Sequence, residues 1–478
     1  VVIMDQMLET RDALFLQRLH AIVGDAGLVH DEQAKAAHDL DWLGKWQGRS
    51  CAVVRPATTA EVAAVMRLCH ETRTPVVTQG GNTGMSGGAT PDDSGAQLIL
   101  STARLRAIRD IDPLNNTLTA EAGVLLAHVQ DAATQADRYF PLSLGSEGSC
   151  TIGGNLATNA GGIAVLRYGN MRELALGLEV VLPTGEIWNG LRALRKDNTG
   201  YCLRDLFIGS EGTLGVITAA VLKLYPRPLA RVAAWLGCAD MAALLEVLAR
   251  MRNACGDRLV AFEMLTEESL ELVLEHVSDT RRPLEGRHRF HALVEVADTC
   301  SDDLEALMES ALGEAMEAGL VSDAVIGANL AQRQAFWKVR EGISQAQVRA
   351  GKVIKHDIAL PISRLPQFVE AAQAAILGCR NEARIINFGH MGDGNLHFNV
   401  LLPKETSAAE FSGLLSSMNR LVHDLVDEAG GSISAEHGVG QLRRDELRHY
   451  KSGVEFGLMM LIKQSLDPNQ IMNPGKLL

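Results

Sequence analysis

Apolar residues fall along the chain in short runs broken by glycine and proline, and the spacing inside each run predicts its element. "CAVVRP", from Cys51, is a strand stopped by Pro56. Thr59 is the expected N-cap of a helix with Glu61 in its first turn, and Val62, Val65, Met66 and Cys69 then recur at helical spacing. "PVVTQ" is the next strand, and the glycine-rich "GGNTGMSGG" follows it. Strands at Leu98, Ala107 and Thr117 come next, the last two joined by a turn over Asp112–Asn116, and a helix runs from Val124 to about Ala136. After a second glycine-rich stretch, "LEVVLPTGEI" is a hairpin turning on Pro183-Thr184-Gly185. "GVITAAVLKLYPRP" then runs into Pro226 and Pro228.

The pattern changes beyond those prolines. From about Ala230 to Pro403 strands alternate with long helices, including a helix near Ala331–Arg349, the strand "VIKHDIAL" and two strands around "GHMGDGNLHF". Residues Asp5 to Trp46 read as mostly helical. These shifts predict an α+β protein in four segments: a helical 1–46, a domain over 47–228, an α+β domain over 229–420, and a helical 421–478 that closes the chain.

Composition narrows the classes. The chain has 478 residues, 47% hydrophobic and 22% charged, which excludes disorder and small disulfide scaffolds. A net charge of −13 argues against nucleic acid as a partner. No run approaches ~18 apolar residues, so no membrane span is expected. The eight cysteines are scattered without a CxxC, which gives no support to an iron–sulfur cluster. Free thiols and the lack of a recognisable secretory signal set the expectation of a cytoplasmic protein.

The glycines carry candidate chemistry. Gly80-Gly81-Asn82-Thr83-Gly84 follows a strand, and successive small residues there can turn backbone N–H groups onto an anion. One such loop alone reads better as an ordinary turn. It is neither a GxGxxG opening a helix nor a Walker loop. A second stretch holds Gly145, Gly148, Gly153, Gly154, Gly161 and Gly162, interleaved with Ser146, Asn155 and Asn159, and its apolar residues are too few for a core. Two loops of this kind suit a long ligand carrying a pyrophosphate, without naming it.

"PVVTQGGNTGMSGG", "GSEGSCTIGGNLATNAGG", "RYGNMRELALGLEVVLPTGE", "KDNTGYCLRDLFIGSEGTLGVIT" and the closing "NPGKLL" resemble the vanillyl-alcohol oxidase and para-cresol methylhydroxylase superfamily of flavoproteins. The resemblance implies a two-subdomain FAD-binding domain and a separate substrate (cap) domain. It implies the FAD pyrophosphate on Gly80–Gly84 and the isoalloxazine near Gly145–Gly162, with Ile217 and Asn473 as further flavin positions. Asn82 stands where a covalent member carries His, so non-covalent FAD is expected, with Cys150 as the alternative attachment point.

His390, Asp393, His397, Glu436 and His437 are the chemical residues of the C-terminal part. His390 and His397 flank "MGDGNL", and folding that loop back can bring both imidazoles to one point. Two histidines and a carboxylate match a catalytic zinc site with an open position, although the spacing is no HExxH. "FWKVREGISQ" places Arg340 and Ser344 four apart on one helical face, with Lys355 just after, a set that reads on spacing alone as a solvated helix. "GHMGDGNLHFN" and "EHGVG" resemble the D-2-hydroxy-acid dehydrogenases of the superfamily, the D-2-hydroxyglutarate branch above all. That resemblance implies zinc or another divalent metal on His390, His397 and Glu436, with His437 as base. It implies Arg340, Ser344, Lys355 and Asn399 on the substrate, Ser344 replacing a threonine.

The implied reaction is oxidation of D-2-hydroxyglutarate to 2-oxoglutarate, with C2 hydride passing to flavin and an outside acceptor, electron-transfer flavoprotein or a quinone. D-lactate, D-malate and glycolate dehydrogenases or oxidases are the near alternatives. A transferase like alkylglycerone-phosphate synthase is a distant one, and a metallohydrolase that has lost its flavin is another. The family also makes a homodimer an expectation.

Overall fold

Alternation of buried positions builds the sheets. In Ala230–Cys238, Ala234, Leu236 and Cys238 face one core while Ala233 and Trp235 face another, the period of two expected of a strand covered on both sides. The computed structural model describes residues 2–300 and 303–478. These divide into two compact units, one comprising 1–161, 170–226 and 436–478, the other 162–169 and 227–435.

The first unit contains two larger sheets and a two-stranded pair, Arg138–Tyr139 with Tyr225–Pro226. Strands Ser50–Val54 and Val76–Gln79 run parallel to Gln97–Ser101 between them, and the short Leu28–Val29 pairs antiparallel at the far edge. Helix Thr59–Thr72 covers this sheet with Val62, Val65, Met66 and Cys69, as its periodicity predicts. Its cap is Thr58, one residue earlier than expected: the Thr58 hydroxyl accepts the Glu61 N–H, while Thr59 turns its hydroxyl to Glu179 at 2.7 Å. The second sheet is antiparallel, in the order Ile108–Asp112, Thr117–Glu121, Val216–Lys223, Ala175–Val181, Ile187–Gly190. Near the C-terminus Met472 bridges to Val76.

The second unit is a wholly antiparallel eight-stranded sheet. Its order is Asp323–Ile326, Ala230–Cys238, Phe290–Asp298, Leu259–Thr266, Arg384–His390, Asn395–Leu402, Lys352–Ile354, with Asp357–Ala359 also pairing Asn395–Leu402. Helices Met241–Cys255, Leu304–Glu317, Leu365–Cys379 and Ala408–Glu428 pack on one face, and Glu267–His276 with Leu330–Ala350 on the other. "VIKHDIAL" is two strands rather than one, because the Phe398 N–H bonds the His356 carbonyl and the chain breaks its ladder at Lys355-His356. Among the described residues no helix is long and apolar enough to cross a membrane.

Candidate functional site

In the first unit the two glycine-rich stretches lie against each other. A Cβ on Gly81 would stand 2.0 Å from the Ser149 carbonyl oxygen, and one on Gly80 2.4 Å from the Thr151 hydroxyl. The second stretch is not all loop: Thr151 caps a short helix, Ile152–Ala157, and Cys150, Ile152 and Leu156 are buried in spite of the local scarcity of apolar residues. By contrast a Cβ on Gly84, Gly145 or Gly148 meets no atom within 4 Å, leaving space beside the paired loops. Several amides expected at the flavin serve the scaffold. Asn82 donates to the Leu40 carbonyl, Asn155 to Cys150 Sγ, and Asn159 accepts the Arg172 N–H. Asn473 donates to the carbonyls of Gly88 and Glu211, and its buried Oδ1 has no partner. Ile217 is buried in the strand Val216–Lys223, Thr83 and Ser146 are half-buried, and Gly162 belongs to the other unit.

Glu436 and His437 open the returning segment of this unit, with 3.6 Å between the carboxylate and Nε2. The turn after them is held tightly. The two oxygens of Glu211 accept the N–H groups of Val439 and Gly440 at 2.8 and 2.7 Å. Desolvation pushes the Glu211 carboxyl up, and these two bonds pull it back only in part. The Ser86 hydroxyl lies 3.1 Å from the carbonyls of both His437 and Gly438. Gly440 has φ +52°, and a Cβ there would strike the Ser86 carbonyl oxygen at 2.1 Å, so only glycine suits the position.

In the second unit the strands at Arg384 and Asn395 form a hairpin, and its turn folds His390 and His397 to a ring separation of 5.9 Å. Gly394 makes the turn possible: φ is +86° and a Cβ would lie 2.2 Å from the Leu360 carbonyl oxygen. Strand register then assembles the site on the face beneath helix Leu330–Ala350. Glu263 is opposite His390, and Asp357 opposite His397. The Glu263 carboxylate is buried, with Oε1 2.6 Å from His390 Nδ1 and Oε2 accepting Arg340 Nε and Nη2 at 2.8 and 2.7 Å. Burial alone would raise this carboxyl; the charges of His390 and Arg340 and their hydrogen bonds outweigh it and hold it at about 2.

Arg340 is therefore buried and stacked over Phe388 at 4.9 Å, whereas Ser344, one turn on, is exposed. Lys355 is half-buried at the strand break. Asn399 is buried, giving its N–H to Gln347 and accepting the His356 N–H. Asp357 and His397 offer ligand atoms within 4.8 Å of each other, and Asn395 donates to Asp357 at 3.0 Å. The Ala435 N–H donates to the Asp357 carbonyl, and the next residue in the chain is Glu436.

Sequence reasoning missed Glu263, Asp357 and Glu211. A lone acid inside the apolar run "LVAFEML" was a signal for Glu263, since an unpaired carboxylate is almost never fully buried. Asp357 carried the same signal in "HDIAL". Glu211 carried none, because its partners are backbone N–H groups more than two hundred residues away.

The profile of the family described as "FAD binding domain" matches residues 51–190, and that described as "FAD linked oxidases, C-terminal domain" matches residues 227–477. A protein of Oryza sativa subsp. indica, named probable D-2-hydroxyglutarate dehydrogenase, mitochondrial, is 38% identical over 96% of this chain and 80% of its own. The Bos taurus D-2-hydroxyglutarate dehydrogenase, mitochondrial, is 40% identical over 94% and 81%. A D-2-hydroxyglutarate dehydrogenase of Xanthomonas citri pv. viticola is 39% identical over 91% of each chain. Among solved structures, p-cresol methylhydroxylase superposes with TM-score 0.76 at 16% identity, covering 97% of this chain and 96% of its own. Alkyldihydroxyacetonephosphate synthase superposes with TM-score 0.73 at 17% identity, covering 96% and 85%. These likenesses show the flavoprotein fold. The cytoplasmic expectation is corrected: the rice and cattle relatives are named as mitochondrial, and scattered thiols report a redox state rather than a compartment.

Proposed function

Since the chain belongs to the FAD-linked oxidoreductase family that contains the D-2-hydroxyglutarate dehydrogenases, we propose that it oxidises D-2-hydroxyglutarate to 2-oxoglutarate. The observation that carries this reading is the gathering of Arg340, His390, His397 and Asn399 on one face of the second unit's sheet. A dicarboxylate needs a cationic partner for its second carboxylate, and the set of Arg340, Ser344 and Lys355 would supply it.

The donor set fits a divalent cation. His390 gives Nδ1 to Glu263, which leaves Nε2 as its ligating atom, and His397 stands beside it. His390, His397 and Glu436 would hold the ion, and the Ala435 hydrogen bond ties the chain before Glu436 to the strand bearing Asp357. A bound divalent cation supplies Lewis acidity that lowers the pKa of the substrate hydroxyl. The paired loops with open space at Gly84 and Gly145 fit a dinucleotide, and FAD held there would supply the acceptor for the hydride lost from C2.

The remaining work falls to side chains. His437 takes the hydroxyl proton on an imidazole nitrogen, in a turn that Glu211 and Ser86 hold in place. Arg340 has committed Nε and Nη2 to Glu263, so Nη1 is the edge it turns to a substrate carboxylate, and Lys355 takes the larger share of the distal charge. Ser344 offers the hydroxyl that completes this end. FAD is held without a covalent bond: Asn82 cannot form one, and Cys150 is buried against the Asn155 amide. The electrons would pass to an outside acceptor, either electron-transfer flavoprotein, the preferred one, or a quinone.

Anaerobic mixing of the flavin-loaded protein with single hydroxy acids tests the reading. D-2-hydroxyglutarate should bleach the visible flavin band, D-lactate and the L enantiomers should not, and a chelator should abolish bleaching until zinc is restored. Bleaching that ignores the chelator removes the metal, and no bleaching by any hydroxy acid sinks the assignment.

A further inference from the structure

Glu263 engages two residues of the site at once, His390 and Arg340. Its strand is otherwise apolar up to the closing Thr266, and its carboxylate is 1% exposed. One oxygen meets His390 Nδ1 at 2.6 Å and the other takes two N–H groups of Arg340. Charge neutrality alone would need only the arginine, so the second partner calls for its own explanation.

We propose that Glu263 is a positioning residue that sets the tautomer of His390 and the aim of Arg340 at once. The inference rests on the metal reading above. An ionised carboxylate can only accept, so it requires the proton on Nδ1 and leaves the lone pair on Nε2. That is the form in which an imidazole binds a cation, and carboxylates beside metal-bound histidines commonly act in this way. The other oxygen fixes the guanidinium plane over Phe388 and thereby determines which edge of Arg340 remains for substrate. One side chain thus couples cation binding to recognition of the acid.

Glu263→Gln separates this role from simple packing, because it keeps the volume. The amide oxygen can still accept from Arg340, but the amide N–H₂ then faces His390 Nδ1 and favours the opposite tautomer. Zinc binding to the flavin-loaded protein would be measured by equilibrium dialysis, alongside the ¹⁵N spectrum of histidine-labelled protein without metal. Glu295→Gln is the control. Glu295 is another buried acid of the same sheet, bonded to Arg231 and Trp337.

Zinc affinity should fall about 10–100-fold in Glu263→Gln, the usual loss when such a partner is removed. The His390 proton should move from Nδ1 to Nε2, and Glu295→Gln should match the wild type in both. Equal zinc affinity in Glu263→Gln and wild type, or an unchanged tautomer, overturns the inference. An equal loss in Glu295→Gln also overturns it, because the effect would then be general to buried acids. A wild type that binds no zinc overturns the metal reading instead, and the tautomer spectrum alone then decides the role of Glu263.

Discussion

Replacing Gly81 by alanine should destabilise the protein before any flavin is involved, and replacing Gly84 should not. The Cβ of Gly81→Ala would meet the Ser149 carbonyl oxygen at 2.0 Å and Cys150 Cα at 3.1 Å. Even close C–H···O contacts sit near ~3.3 Å, so one backbone must retreat by more than ~1 Å. Overpacking of this kind costs about 1–3 kcal/mol. For a cooperative unit of this size each kcal/mol lowers Tm by about 2–4 °C, which gives a drop of roughly 2–12 °C. Gly84→Ala meets nothing within 4 Å and lies outside the left-handed region, so the flavin-free Tm should stay within about 1 °C. Its effect should fall on FAD, whose pyrophosphate is proposed to occupy that space. Calorimetry of the flavin-stripped proteins and quenching titrations with FAD read the two effects separately. Equal Tm for Gly81→Ala and wild type would refute the claim that the loops hold each other, and a fall of several degrees in Gly84→Ala would refute the claim of open space.

Glu211→Gln leaves one amide N–H₂ against a backbone N–H of the Val439–Gly440 pair, at a cost of about 1–3 kcal/mol. Hydrogen exchange of a peptide spanning residues 436–441 should speed up roughly 5–150-fold, and exchange in the strand Ala230–Cys238 should not change. Lys476 is buried, and desolvation pushes its pKa down to about 8, only partly offset by Asp92. Between that value and the unfolded ~10.4 the unfolded chain binds the extra proton, so stability rises with pH there, and Lys476→Met should remove that slope in denaturant titrations. Glu179 gives a slope of the same sign in the acid range. Burial would raise its carboxyl, but Arg109, Thr59 and Thr218 bond it and hold it below the usual range. The stability it contributes is complete above the ordinary glutamate pKa of ~4.3 and is lost as pH falls through the folded value, so Glu179→Gln should flatten the acid limb.

Legibility followed the range of the interactions. Helix Thr59–Thr72 and the hairpin across Pro183–Gly185 were readable because a period or a turn residue within ten positions specifies them. The approach of His390 to His397 was readable for the same reason, being a single hairpin turn. The bond from Glu263 to His390 spans more than a hundred residues and exists only through strand order, which local pattern does not encode. The asparagines of the glycine-rich stretches are a subtler case. An amide serves a turn or a ligand equally well, and only the fold shows Asn82 and Asn159 spending hydrogen bonds on backbone. The cap moved from Thr59 to Thr58 because two adjacent hydroxyls compete, and the distant Glu179 takes one of them.

The return of the chain to its first unit has a consequence for synthesis. Val76–Gln79 is the edge strand of the parallel sheet, and its Val76 N–H and C=O are satisfied by Ile471 and Asn473. Those partners are translated only after the whole second unit, about 395 residues after Val76. At ~5–20 residues per second the ribosome leaves that edge bare for roughly 20–80 s, the interval in which unpaired strands recruit wrong neighbours. The last few residues thus act as a sealing strip, and nascent chains stalled before them would be the species that needs a chaperone.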